Sequence, residues 1–202
     1  MPGSWPRFAP IAALAALALT GCGSSASPAQ NDGPPATLLA QARPIGHGAR
    51  FHPLAGGPVI GRCRPALGSR VGTHVELFAA NRVVLIAAGI GTRPPLRHSA
   101  GRITAARCYG GLVTLEPTGV VLVRRRARLT LADLFRSWGQ PLSGRRLASF
   151  AAVSGRSVEV FVDGRLRHGA PGAVPLSPHS EIVLEVGPHV PPHSSYTFPP
   201  GS

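Results

Sequence analysis

One short segment carries a helical signature, and stretches of period two flank it on both sides. Thr130 fits an N-cap, and Asp133 three residues on completes an approximate capping box. Leu129 and Leu134 stand where a hydrophobic staple would place them. Leu131, Leu134, Phe135 and Trp138 recur at helical spacing and make one apolar stripe. Gly139 supplies a left-handed stop, and Pro141 blocks continuation. Elsewhere strand patterns dominate. Residues 74–78 alternate, with Val75 and Leu77 on one face and His74, Glu76 and Phe78 on the other. Residues 83–88 are an apolar run after a turn at Ala80-Asn81. Residues 112–116 and 120–124 flank Pro117-Thr118-Gly119 as a hairpin would. Val158, Val160 and Val162 alternate with Glu159 and Phe161 and run into Asp163-Gly164, a pair suited to a two-residue turn at positive φ. Ile182, Leu184 and Val186 alternate with Glu181, Val183 and Glu185. The expected fold class is therefore α+β, mostly antiparallel β with one main helix. From Val120 the order strand, helix, hairpin, strand predicts a β-grasp-like C-terminal half, with the helix across one face of the sheet.

Composition narrows the alternatives. With 25 Gly, 22 Pro and 5% aromatic residues, the chain of 202 residues is excluded from long coiled coils and helical bundles. Its 44% hydrophobic content is enough for one packed core and argues against wholesale disorder. The formal net charge is +13, and all 21 basic residues are Arg. Codon usage in a GC-rich genome would give that bias unaided. The charge is nonetheless physical, and it attracts anionic lipid headgroups or anionic wall polymers over about 8–10 Å.

The N-terminus carries an address. Arg7 precedes an apolar run over residues 8–19, too short for a spanning helix of about 20 residues but matched to a signal-peptide core. The run ends in Leu19-Thr20-Gly21-Cys22, which resembles the bacterial lipobox. Residues 1–21 are expected to be a lipoprotein signal peptide, and Cys22 the lipid attachment site. Two or three acyl chains, palmitate-type, then hold the protein at the extracytoplasmic face of the cell membrane. An ordinary signal peptide with a chance cysteine is the alternative. Residues 22–57 read as a flexible tether, residues 58–188 as a single α+β domain, and residues 189–202 as a Pro-rich tail that either lies along the domain or stays loose. Cys63 and Cys108 are then an even pair in an exported domain. A disulfide between them would close a span of 45 positions, worth about 4 kcal/mol on the chain-entropy account. Two buried thiols are the other possibility.

Chemistry is harder to find. Eight histidines, at 47, 52, 74, 98, 168, 179, 189 and 193, lack the local spacing of metal ligands. His189 and His193 are four apart, but they sit among prolines where no helix aligns them. His74, His179 and His98 could be brought together only by folding. No G-x-S-x-G or phosphate-loop spacing occurs. Glu181 and Glu185 share a strand face about 13 Å apart, too far for a glycosidase pair. Arg124, Arg125, Arg126 and Arg128 form the densest charge cluster, read either as a solvated strand end or as a docking point for anionic lipid or wall polymer. No aromatics interleave with these arginines, which argues against nucleic acid as a partner, as export does.

Several segments together resemble an uncharacterised family of bacterial exported proteins and lipoproteins. They are Gly89-Ile90-Gly91, Cys108-Tyr109, residues 129–142 with Phe135 and Trp138-Gly139-Gln140-Pro141-Leu142, residues 160–165 and 175–187, and Tyr196-Thr197-Phe198-Pro199. Relatives in that family often carry His-x-His groups in the first strand and after the second Cys. Here only His74 stands in the first position, and Tyr109-Gly110-Gly111-Leu112 follows Cys108. The resemblance implies export and brings no activity with it. The expectation is a non-enzymatic, lipid-anchored binding module of the cell envelope, with no cofactor and no catalytic set. A metal-binding exported protein using scattered histidines is the alternative.

Overall fold

The strand β1 (Arg70–Ala79) is almost wholly buried, because both of its faces are covered. Val75, Leu77 and Ala79 point into the main core, and His74, Glu76 and Phe78 point the other way, as their alternation requires. The computed structural model describes residues 42–199. Cys22, the expected signal peptide and the first part of the expected tether lie outside the described residues. Eleven further strands follow in the described chain. They are β2 (Arg82–Val83), β3 (Thr92–Ser99), β4 (Arg102–Tyr109), β5 (Leu112–Val113), β6 (Val120–Arg124), β7 (Leu142–Ser143), β8 (Arg146–Leu147), β9 (Phe150–Ala151), β10 (Glu159–Val162), β11 (Arg165–Leu166) and β12 (Glu181–Val186). One helix, α1 (Leu131–Trp138), lies between β6 and β7.

The main sheet runs in the order β11-β10-β12-β1-β6-β5, with β2 also paired to β1. Its two central strands, β1 and β12, are parallel, from His74 beside Glu181 to Ala79 beside Val186. All other pairings in it are antiparallel. Parallel neighbours need a crossover connection, and α1 lies within it. This is a β-grasp arrangement within an α+β fold. Its central strand β1 comes from the N-terminal part of the domain, so the grasp is not confined to the C-terminal half.

The helix forms where its stripe and caps dictate. The Asp133 carboxylate accepts from the Thr130 backbone N–H at 3.0 Å and from its hydroxyl at 3.2 Å. Gly139 takes the left-handed conformation at φ 81°, and its N–H donates to Arg136 O. Leu131, Leu134, Phe135 and Trp138 are all buried against Val75, Leu77, Val121, Val160, Ile182 and Leu184. The β10–β11 turn has Asp163 at φ 51° and Gly164 at φ 75°, the positive values its sequence calls for.

Other expectations need correction. The apolar run 83–88 buries Val84 and Ile86 and half-buries the rest, but only Val83 joins a ladder. Val84 N–H instead donates to Leu77 O and Leu85 N–H to Phe51 O. Of residues 112–116 only Leu112 and Val113 pair with β6. Thr114 turns to the Gly89-Ile90-Gly91 loop, donating through its backbone N–H to Ile90 O at 3.1 Å. The chain packs from residue 44 rather than from 58. Gly46 N–H donates to Val83 O, Phe51 packs against Phe150, and Trp138 Nε1 donates to Pro53 O at 3.1 Å. The β3–β4 hairpin and the small β7–β8–β9 sheet are additions to the strands that the sequence pattern predicts.

Candidate functional site: a histidine–glutamate face under a C-terminal strap

The sheet face opposite α1 is unusual in being both buried and acidic. Period-two alternation places His74, Glu76 and Phe78 of β1 there, with Glu181, Val183 and Glu185 of β12 and Phe161 of β10. The parallel register sets His74 beside Glu181 and Phe78 beside Glu185. Besides the exposed Glu159 of β10, three carboxylates on this face are buried or half-buried and need partners, and each has a histidine. His74 Nδ1 meets Glu181 Oε2 at 2.6 Å, and His193 Nδ1 meets Glu76 Oε2 at 2.6 Å. His189 Nδ1 bonds Glu185 Oε1, whose other oxygen accepts from Val190 N–H at 2.9 Å.

Two of these histidines come from the chain after β12, which crosses the face as an extended strap. Val190 is 0% exposed and fills the space between Phe78, Phe161 and Val183. Tyr196 stacks on His74 with ring centroids 3.7 Å apart. Phe198 meets the edge of Tyr196 and lies 5.0 Å from the His179 ring. Residues 188–199 thus lie along the domain. Their prolines exclude a helix but suit an extended path, which is how His189 and His193 reach one sheet face.

His74 is fixed at its other nitrogen. Nε2 donates to the Thr118 carbonyl at 2.9 Å. That loop closes so tightly that a Cβ on Gly119 would stand 2.5 Å from Val75 O and 2.9 Å from His74 Nε2, at a φ of +82°. Glycine is therefore required at 119 on two counts. Glu181 is 1% exposed, and its Oε1 has no hydrogen-bond partner. Burial pushes the Glu181 carboxyl above its usual value, with the His74 bond opposing. Burial likewise raises Glu185, opposed by Val190 N–H and His189. Tyr196 is raised by burial and by the nearby carboxylates of Glu181, Glu116 and Glu76.

A second feature lies around the disulfide. Cys63 and Cys108 are bridged, with Cα atoms 5.4 Å apart. Arg62 and Arg64 flank Cys63, Arg107 precedes Cys108, and Arg93 is the strand partner of Cys108; all four are exposed. The Arg124 guanidinium reaches the carbonyls of Arg62, Tyr109 and Gly110 at 3.2–3.4 Å, so it is held in the fold rather than freely solvated. Arg125, Arg126 and Arg128 remain exposed. Behind them Arg70 is buried and donates to the carbonyls of Leu67, Gly110, Gly111 and Leu122. Desolvation and the nearby Arg124 bring its pKa down to about 10.

The three histidines of the metal alternative are not brought together as a group. His98 is exposed on β3, and His179 sits in the turn before β12. His74 is grouped with Glu76 and Glu181 instead. Sequence reasoning already set His74, Glu76, Glu181 and Glu185 on strand faces. It missed that β1 and β12 are neighbours and that the strap supplies further histidines. Among the described residues no helix is long and apolar enough to cross a membrane. No family model, curated protein or solved structure matches this chain.

Proposed function

We propose that this chain is a lipid-anchored, non-enzymatic module of the bacterial cell envelope that docks on phosphate-bearing anionic groups through its arginine-rich end. The observation that carries this reading is the set of exposed arginines gathered around the disulfide: Arg62, Arg64, Arg93, Arg107, Arg125 and Arg126. Among the described residues arginine forms ion pairs in Arg102–Glu116 and Arg136–Asp133, and neither pair uses an arginine of this set. Guanidinium groups present paired donors that match phosphate oxygens. The disulfide supports an exported location, and the lipobox-like stretch ending at Cys22 supports an anchor.

Two measurements test this reading. Cys22→Ser should move the protein from the membrane fraction to the soluble fraction of the exporting cell; unchanged fractionation contradicts the anchor. The same unlipidated chain should sediment with vesicles containing phosphatidylglycerol and not with neutral phosphatidylcholine vesicles, less so as salt rises. Arg125→Glu with Arg126→Glu should weaken that binding by about tenfold or more. Equal binding to neutral vesicles, or none to anionic ones, contradicts docking on lipid phosphate. Salt-sensitive binding to isolated anionic wall polymer alone would move the docking partner to the wall.

A further inference from the structure

We propose that His74, Glu76 and Glu181 form a binding site for one divalent transition-metal ion of the zinc type, with His193 of the strap as a fourth ligand. One donor atom from each of the three sheet residues lies within 4.8 Å of the others. An ion with bonds of about 2.0–2.2 Å to nitrogen and oxygen fits among them after small side-chain adjustments. His193 Nδ1 lies outside that group but already meets Glu76 Oε2 at 2.6 Å, so the strap holds an imidazole next to one of the three ligands.

Three observations support a cation here, and the first is one that the His74–Glu181 ion pair alone does not satisfy. The first is the orphaned Glu181 Oε1: a buried carboxylate oxygen without a donor is costly, and this one belongs to a residue 1% exposed. The second is the tautomer of His74. Its Nε2–H is committed to the Thr118 carbonyl, which leaves Nδ1 facing a carboxylate oxygen at 2.6 Å. Two such atoms need a positive centre between them, either a proton or a metal. A backbone carbonyl on the far nitrogen is the usual support of a ligating histidine. The third is rigidity, since His74, Glu76 and Glu181 sit on the two paired central strands.

The donor set selects the class of ion. Two imidazoles with two carboxylates suit zinc and its neighbours, whereas calcium and magnesium favour all-oxygen shells. A second group, Glu159, Glu185 and His189, has comparable spacing. There Glu159 and His189 are exposed, and both oxygens of Glu185 already have partners. It lacks the orphaned atom that distinguishes the first.

The test uses the whole chain without a histidine tag, stripped with chelator and titrated with zinc chloride by calorimetry. Cobalt chloride in parallel provides a visible absorption spectrum. One equivalent should bind, and the cobalt form should show ligand-field bands. Glu76→Gln and His193→Ala should each weaken zinc binding by about tenfold or more, while His189→Ala leaves it unchanged. Glu76 and His193 are partly exposed, so these variants remain foldable where Glu181→Gln is harder on the core. No saturable binding at one equivalent, unchanged affinity in both variants, or a loss that follows His189 instead would overturn the site.

Discussion

The Glu185 carboxylate shows how single residues on this face are tuned. It is 2% exposed, and it faces His189 and Val190 of the strap, Glu159 of β10 and Phe78 of β1. Burial raises its pKa in spite of the bonds from Val190 and His189. A carboxyl whose folded value is raised contributes stability that is fully present below its unfolded value, about 4.3. That contribution is lost as pH climbs through the raised folded value. Glu185→Gln keeps an oxygen for the Val190 N–H and cannot ionise. The stability of the variant relative to the parent should therefore rise between about pH 4.5 and neutrality. Urea midpoints at three pH values across that window check this, and parallel curves for the two proteins would contradict it.

At the scale of elements, the helix and the strap cover opposite faces of one sheet, and only the helix is readable in the chain. Leu131, Leu134, Phe135 and Trp138 declare α1 because local spacing and burial coincide there. β1, β10 and β12 are legible for the same reason. The β3–β4 hairpin is not, because Arg93, Arg97, Arg102 and Arg107 leave little apolar alternation on a hairpin that is largely exposed. β7, β8 and β9 have two residues each, too few to carry a period. The strap is illegible for a deeper reason. His193 finds Glu76 across 117 positions, and no local pattern encodes such a partner. Its one fully buried apolar side chain is Val190, so Val190→Ala should cost about 2 kcal/mol through lost burial and a residual cavity. Denaturant unfolding measures this directly. A cost below about 0.5 kcal/mol, the range of ordinary surface changes, would mean that the strap is not docked through this residue.

For the whole molecule, the organising constraint is the link between the segment before β1 and the end of β4. Cys63 and Cys108 are 45 positions apart, and the loop between them includes β1, β2 and β3 and nearly all of β4. The loop entropy removed from the unfolded chain corresponds to about 4 kcal/mol, a large part of the 5–15 kcal/mol typical of a domain. The hairpin it secures rests on a small satellite core of Ile103, Tyr109, Val113 and Leu115. The crosslink is not alone in this task. Arg124 ties Arg62 to Tyr109 and Gly110 through their carbonyls, and Arg70 binds Gly110 and Gly111 from beneath. Reduction should therefore leave the β4–β5 junction seated while the unfolded state gains its freedom. Replacing both cysteines with Ser should lower the thermal midpoint by about 8–16 °C for a chain of this size. The charge-bearing arginines would keep their native contacts below that midpoint. Scanning calorimetry of the double variant against the oxidised parent gives the shift. An unchanged midpoint would mean that the arginine forks, and not the disulfide, hold the cationic end together.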